Sequence, residues 1–358
     1  MDGVVTVAIT GAGGLIGRRL IAVLQDEPSV ERIVGIDLVP PRELDGGKLV
    51  LRSGDVRDPA VADHLADVDV LVHLAFQLDP LHDERRMRAV NVEGTRNVLE
   101  RAHAAGVRKV VYVSSGVVYG AHPDNDFPLT EGSPLRANAP FNYAEHKLEV
   151  ERWLWPWAEA RPELVTTVLR PSIVAGPGVD NFISRQLEAP RFTAVKGHKP
   201  PMQFAHVDDV AAALAHAVVH DLPGAFNVAS EGWLSFDEVT AIGRRRLLEV
   251  PEEVAISLAD RLWQLGVGHA PAGQVHYLMH PWVMSVDELR ATGWQPRYSN
   301  RDALAELVEE HADHLTLGPL RTTRSRVRRV AAVLVIGGVV TAGILRHRRR
   351  HRRTAADR

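Results

Sequence analysis

Val4-Val5-Thr6-Val7-Ala8-Ile9-Thr10-Gly11-Ala12-Gly13-Gly14-Leu15-Ile16-Gly17 runs from an apolar, β-branched stretch directly into three glycines spaced three apart. The first half reads as a buried parallel strand, and the second as a tight turn that opens a helix. Gly11, Gly14 and Gly17 serve the turn, the approach of a pyrophosphate and close helix-strand packing, while Leu15 and Ile16 begin the helix whose N–H groups face the phosphates. Asp37 ends the next apolar run, twenty residues beyond Gly17. A carboxylate there accepts from ribose hydroxyls and repels a 2′-phosphate, so the expected cofactor is NAD rather than NADP.

Outward from this stretch, short β-branched runs alternate with helical periods. Strands are expected at Arg32 to Asp37, Leu49 to Asp55, Val68 to Leu74, Lys109 to Ser114 and Val165 to Leu169, with a helix near Asp83 to Ala105. The alternation predicts an α/β fold, a doubly wound parallel (Rossmann) sheet with a smaller, discontinuous C-terminal substrate lobe. Residues 1–170 form the expected NAD-binding domain, with 205–230 rejoining its sheet through Gly224 to Val228. Residues 171–204 and 231–318 form the lobe. The Pro-containing stretch Ala121 to Pro140 reads as a loop, and the helix that follows it is expected to end or kink near Pro156. A further helix is expected near Asp302 to His314.

Tyr143 and Lys147 stand four apart and share one helix face. A tyrosine hydroxyl is a poor base at neutral pH, and a neighbouring ammonium favours its phenolate, which suits proton exchange with a substrate hydroxyl during hydride transfer. Tyr112-Val113-Ser114-Ser115 places two hydroxyls at the C-terminal end of a predicted strand, where open α/β sheets bind ligands. Ser115 is the candidate for polarising the substrate oxygen.

Bulk properties frame these sites. Apolar residues make up 45% and charged residues 24% of the 358, ordinary values for a large folded body. The absence of cysteine excludes disulfides, thiolate metal sites and cysteine nucleophiles. No metal site is expected, and the strand-like N-terminus is not a signal peptide. The last 38 residues hold 12 Arg and one acid, a net +11, against −14 for residues 1–320 and −3 for the whole chain. Within this basic tail, 321–358, the segment 330–345 is uncharged and mostly apolar. As a helix it is about 24 Å long, short of a roughly 30 Å hydrocarbon core. Arginines at both ends favour an interfacial or re-entrant helix on an anionic membrane surface. A cytoplasmic, membrane-associated enzyme is expected, with no nucleic-acid partner.

Taken in order, Thr10-Gly11-x-x-Gly14-x-x-Gly17, Asp37, Gly54-Asp55-Val56-Arg57-Asp58, His73-Leu74-Ala75, Asn91-Val92-Glu93-Gly94-Thr95, Ser114-Ser115-x-x-Val118-Tyr119-Gly120, Tyr143-x-x-x-Lys147, Leu169-Arg170-Pro171, Phe204-Ala205-His206-Val207-Asp208-Asp209-Val210 and Gly293-Trp294-x-Pro296 resemble the extended short-chain dehydrogenase/reductases, specifically the NAD-dependent epimerase/dehydratase group. The likeness spans roughly residues 3–315. It implies that Ser115, Tyr143 and Lys147 carry catalysis and that Asp55, Val56, Ala75 and Asn91 contact or support the cofactor. It also implies a homodimer built through the helix after Asn91 and the helix bearing Tyr143. His206 reads as a structural hydrogen-bonding group, and Trp153, Trp155 and Trp157 as core or subunit-contact residues.

Two departures from the family pattern bear on the reaction. Gly116 and Val117 replace the Asp-Glu pair of dehydratases, which disfavours sugar dehydration. Met202-Gln203-Phe204 lacks the arginine that nucleotide-sugar enzymes place two residues before this Phe, leaving Lys196, Lys199 or Arg185 as substitutes for the diphosphate-binding charge. The first expectation is a nucleotide-sugar epimerase. The second is a net dehydrogenase or reductase of an apolar, steroid-like or lipid-linked alcohol, and the third a non-catalytic NAD-binding scaffold.

Overall fold

The structure is a computed structural model that describes residues 3–41, 44–181, 183–188, 191–268, 270–317, 320–323 and 325. Nine helices and thirteen strands follow one another among those residues. They are β1 (Val5–Thr10), α1 (Leu15–Gln25), β2 (Val30–Asp37), β3 (Leu49–Ser53), β4 (Val70–His73), α2 (Glu84–Arg88), α3 (Thr95–Ala104), β5 (Lys109–Val113), α4 (Asn142–Glu159), β6 (Val165–Pro171) and β7 (Ile173–Ala175). The second half adds β8 (Arg191–Val195), β9 (Phe204–His206), α5 (Val207–Val219), β10 (Gly224–Val228), α6 (Phe236–Gly243), β11 (Arg246–Val250), α7 (Glu252–Gln264), α8 (Asp287–Ala291), α9 (Asn300–Glu310), β12 (His314–Leu317) and β13 (Leu320–Thr323).

Seven strands form one parallel sheet in the order β10-β6-β5-β4-β1-β2-β3. The reversal between β1 and β4 is the switch point at which such sheets open a ligand crevice. Both faces are covered, which is why the central strands read as unbroken apolar runs. Leu20, Ile21 and Leu24 of α1 and Val210, Leu214 and Ala217 of α5 pack on one face. Val98, Leu99 and Ala102 of α3 and Val150, Leu154 and Trp157 of α4 pack on the other. β10 joins the edge at β6, so residues 224–228 belong to the main sheet. Two short parallel pairs, β7 with β9 and β8 with β11, carry the rest of the second half, and β12 and β13 form an antiparallel hairpin.

Two local expectations need correction. The helix of Tyr143 does not end at Pro156 but continues to Glu159. The hydrogen bond forfeited by the proline falls to the carbonyl of solvent-exposed Arg152. Trp157, buried and stacked on Trp153 with ring centroids 5.5 Å apart, fastens the last turn to the core. The helix expected over Asp83 to Ala105 is interrupted by a π-helical turn at Ala89–Gly94, between α2 and α3, and Asn91 lies within it. The tail segment 330–345 lies outside the described residues. Among the described residues no helix is long and apolar enough to cross a membrane.

Candidate active site

The glycine turn is shaped for close backbone approach. Gly11 has φ +72°, and a Cβ there would lie 2.8 Å from the Ala75 nitrogen, while a Cβ on Gly17 would lie 2.5 Å from the Gly11 carbonyl oxygen. α1 starts from Gly14 with no side-chain cap and no acidic residue in its first turn, so its leading N–H groups stay available to an anion. Leu15 and Ile16 are half-buried at this end. Asp37, at the end of β2, accepts from the Gly13 N–H at 2.9 Å, which holds its carboxylate beside the turn. These features fit a dinucleotide: backbone donors for the pyrophosphate, no Cβ in its path, and a carboxylate at the ribose position.

The neighbouring positions are held by their own partners. Arg57 forks the Asp55 carboxylate at 2.5 to 3.0 Å and holds its pKa below the usual range. The Val56 side chain is buried, and its carbonyl accepts from the Asn97 amide at 2.8 Å. Asn91 is fully buried and holds Gln77 by both backbone groups, accepting from its N–H at 2.7 Å and donating to its carbonyl at 3.1 Å, with His146 Nδ1 3.4 Å from the same amide nitrogen. It thereby sets the path of Ala75 to Gln77. Its placement is that of a support for the loop.

His73, quoted at the sequence level only within a motif, has its tautomer fixed by the structure. The Thr95 hydroxyl donates to the Asn91 carbonyl at 2.6 Å, so toward His73 Nε2, 2.9 Å away, it accepts. Nε2 therefore carries the proton, and Nδ1 accepts from the Thr10 hydroxyl at 2.7 Å. Burial and the nearby Lys147 charge push the His73 pKa down to about 3. A neutral imidazole ties β1, β4 and the start of α3 together beneath the glycine turn.

Ser115, Tyr143 and Lys147 converge at the C-terminal end of β5. Ser115 caps the short 3₁₀ turn Gly116–Tyr119, its hydroxyl accepting from the Val117 N–H at 3.4 Å. Burial raises the Tyr143 pKa to about 12, with the Ser115 hydroxyl opposing, so the tilt toward the phenolate expected from Lys147 is not seen in this structure. The Lys147 ammonium donates to the Val113 carbonyl at 2.6 Å and lies 3.5 Å from the Phe76 ring centroid. Burial pulls its pKa well down, and the Glu151 charge works against that shift. Ser114 takes no part in the cluster, because its hydroxyl donates to Glu151 on the far side of the strand end.

Adjoining this cluster is an apolar cavity of about 70 Å³. Val117 and Phe141, which pack in one cluster with Tyr143, line it together with Ile173, Met202, Phe204 and Trp282. Gln274 is the one amide among the lining residues, and no charged side chain lines it. Met202 occupies the position where the family pattern has arginine. Gln203 beside it is saturated, its amide donating to the Gly232 and Met284 carbonyls at 2.9 Å and accepting from the Met284 N–H at 2.8 Å. Lys199 pairs with Asp237, and Arg185 with Asp79 and Asp180. Lys196 is exposed. His206 caps α5 through the Asp208 N–H and bonds Glu306 at 3.0 Å, a structural role.

A doubly wound sheet with a cradle for a dinucleotide and a Ser-Tyr-Lys cluster at its strand ends defines an extended short-chain dehydrogenase/reductase. Residues 7–229 match the model of the NAD dependent epimerase/dehydratase family, and the chain belongs to that family. It is an NAD-dependent enzyme of the extended type. Among similar proteins is dTDP-D-glucose 4,6-dehydratase of Mus musculus, 26% identical over 85% of this chain and 87% of that one. Another is N-acetyl-alpha-D-glucosaminyl-diphospho-ditrans,octacis-undecaprenol 4-epimerase of Escherichia coli O157:H7, 30% identical over 48% and 49%. A similar solved structure is MoeE5 in complex with UDP-glucuronic acid and NAD, 25% identical with a TM-score of 0.67, covering 85% of this chain and 98% of that one.

Proposed function

We propose that the enzyme is a net NAD-dependent oxidoreductase acting at the carbinol or ketone carbon of an apolar substrate. The observation that carries this reading is the cavity lining: apart from Gln274 it is aliphatic and aromatic with no charged side chain, and the arginine position is Met202. A diphosphate or a sugar hydroxyl array moved into such a lining loses its water without gaining partners, a cost of several kcal/mol per group. An apolar body gains about 25 cal/mol per Å² there.

The chemistry supplied by bound NAD is hydride exchange with the carbinol carbon. Gly11, Gly14, Leu15, Ile16 and Gly17 hold its pyrophosphate end in this reading, Asp37, Asp55 and Val56 its adenosine end, and Ala75, supported by Asn91, the opposite side. The chain itself moves the proton. Tyr143 takes it from the substrate hydroxyl or returns it, the Ser115 hydroxyl orients the substrate oxygen, and Lys147 supplies positive charge to the Tyr143 side of α4. Residues 1–170 with 205–230 bind cofactor in this proposal, and residues 171–204 with 231–318 bind substrate.

The second reading, a nucleotide-sugar epimerase, is favoured by the UDP-glucuronic acid that accompanies NAD in the MoeE5 structure and by the two sugar-modifying relatives. The two readings part on the fate of the cofactor. The full chain is incubated with NAD and either apolar secondary alcohols or UDP-hexoses, and NADH release is followed together with the product sugars. NADH accumulation with alcohols supports net redox. Interconversion of UDP-hexoses without net NADH, and inert alcohols, overturns it.

Two assembly expectations belong to the same proposal. A homodimer through α3 and α4 is supported by half-exposed Trp153 and Trp155 on α4, where the Arg96 guanidinium of α3 lies over the Trp153 ring at 5.5 Å. Light scattering checks it. Residues 330–345 with their flanking arginines support contact with an anionic membrane surface, which vesicle sedimentation of the chain with and without residues 326–358 checks.

A further inference from the structure

α7 (Glu252–Gln264) lies on the body of the protein without a single buried residue of its own. Val254, Leu258, Leu262 and Leu265 recur at intervals of four, four and three, so they fall on one stripe, and they stand 48, 47, 37 and 74% exposed. The rest of the helix holds it in place. Ala255, Ile256 and Ala259 pack against Val195, Val275 and Met279, and the Trp263 ring stacks on His82 with centroids 3.9 Å apart. The stripe therefore has a fixed direction, outward.

Negative charge is kept off this stripe. No acid stands three or four residues from any of its four members, and the charged neighbour at that spacing is Arg261, three after Leu258 and four before Leu265. Asp260 and Gln264 hydrogen-bond each other on the polar flank, Nε2 to Oδ2 at 2.8 Å. A second copy of the chain is a poor occupant. The stripe is about 20 Å long and 10 Å wide, so it offers roughly 200 Å² per copy, against about 800 Å² per partner in a stable interface. A bilayer needs no such area and no matching shape, and an apolar helix face edged by arginine suits its interfacial layer. The route of the chain agrees. Beyond Ser325 come Arg328, Arg329, the uncharged residues 330–345 and Arg346. A run of contacts joins the root of that segment to α7: Arg321 pairs with Asp180, Arg185 with Asp180 and Asp79, and His82, three residues on, meets Trp263.

We infer that Val254, Leu258, Leu262 and Leu265 dock α7 on a lipid bilayer, with the helix lying in the headgroup layer and Arg261 reaching the lipid phosphates. This is a contact of the folded body, additional to the tail contact proposed above. Its position bears on the active site. Val275 and Met279, on which α7 rests, flank the 3₁₀ turn Ala272–Leu278, and Gln274, Tyr277 and Leu278 of that turn line the apolar cavity. Docking through α7 brings the cavity wall to the bilayer, from which an apolar substrate would be drawn; that consequence alone rests on the substrate reading given under the proposed function.

The chain has no cysteine, so a dye can be placed at one position at a time. Full-length Leu258→Cys, Leu265→Cys and, on the polar flank, Gln264→Cys are labelled with an environment-sensitive fluorophore and mixed with vesicles of equal parts phosphatidylcholine and phosphatidylglycerol. Emission at positions 258 and 265 should shift to the blue and be quenched by nitroxide-bearing lipid, while emission at 264 stays unchanged. The unlabelled double variant Leu258→Glu with Leu265→Glu should bind vesicles roughly tenfold or more weakly and keep the circular dichroism of the parent, since both positions are exposed. Dyes at 258 and 265 that escape quenching overturn the inference, whether or not the chain sediments with the vesicles. A blue shift that needs no vesicles and grows with protein concentration assigns the stripe to a second copy and overturns it as well. The tail is read separately: if removing residues 326–358 leaves sedimentation unchanged while the dyes on α7 respond, the tail contact fails and the α7 contact stands.

Discussion

Glu151 and Arg170 form an ion pair inside the protein, Nη2 to Oε2 at 2.5 Å, with the carboxylate fully buried one turn along α4 from Lys147. The pair spans the gap between α4 and the end of β6. Ser114 donates to the carboxylate, and the guanidinium donates to the Tyr119 hydroxyl at 2.7 Å, which in turn donates to Asn227 at 2.8 Å. This chain of polar groups fixes the end of β5, where Ser115 sits, relative to the helix that carries Tyr143 and Lys147.

Removing one member leaves a buried charge without its partner, so Glu151→Gln should cost about 3–5 kcal/mol of stability. The double variant Glu151→Leu with Arg170→Met should recover most of that loss, because burying neither charge removes the desolvation penalty. Urea unfolding of the three proteins checks the order. A single variant as stable as the parent would show that the pair does not hold the site together.

The neutral state of His73 gives the fold an acid limit. Its folded pKa, about 3, lies below the ordinary value of 6.5, so between these values the unfolded chain binds the extra proton. The stabilisation is fully present above pH 6.5 and is lost as pH falls toward 3, at up to about 1.4 kcal/mol per pH unit. Denaturation at pH 7 and pH 5 should show this slope in the parent and a shallower one in His73→Gln. A His73 imidazole resonance titrating above pH 6 in the folded protein contradicts its neutral state.

Much of this architecture is legible in the sequence because its signals are local. The glycine spacing of Gly11 to Gly17, the apolar runs of the parallel strands and Asp37 at a strand end are each set by a few neighbouring residues. Gly224 to Val228 is likewise recognisable as a strand of the main sheet. What escapes is what depends on distant partners. Nothing near Glu151 in sequence marks it as the mate of Arg170, and nothing near Asn91 shows that its amide holds Gln77. The apolar cavity draws on residues from Val117 to Leu307. The short strands β8 and β11 lack the unbroken apolar runs of the first half. Pro156 misleads for a related reason: the helix signal is local, whereas the burial of Trp157 that keeps α4 going is tertiary.

The dinucleotide cradle makes a prediction that needs no substrate. Gly17→Ala pushes a Cβ to 2.5 Å from the Gly11 carbonyl, so the turn must open and NAD binding should weaken by roughly tenfold or more. Asp37→Ser removes the charge that repels a 2′-phosphate and should shift preference from NAD toward NADP. Calorimetric titration with both dinucleotides reads both effects. Unaltered NAD affinity in Gly17→Ala would place the pyrophosphate elsewhere.

Tyr143→Phe separates proton transfer from binding. Phenylalanine keeps the ring that packs against Phe141 and Phe76 with centroids 5.9 and 5.8 Å away, so the fold and NAD affinity should be retained. Turnover, in whichever direction of hydride transfer is assayed, should fall by about 10² to 10⁴. The same substitution has a signature in stability. Burial raises the Tyr143 pKa from 10 to about 12, so the folded chain keeps a proton that the unfolded chain releases. The associated stabilisation is present below pH 10 and is lost as pH rises through 12. Buried Tyr119, with a pKa of about 12 as well, contributes the same trend and remains in the variant. Tyr143→Phe should therefore lose stability less steeply than the parent above pH 10, without becoming flat. A variant that keeps full turnover removes Tyr143 from the chemistry. One that loses turnover but matches the parent's alkaline slope leaves its role in turnover standing and contradicts the raised pKa.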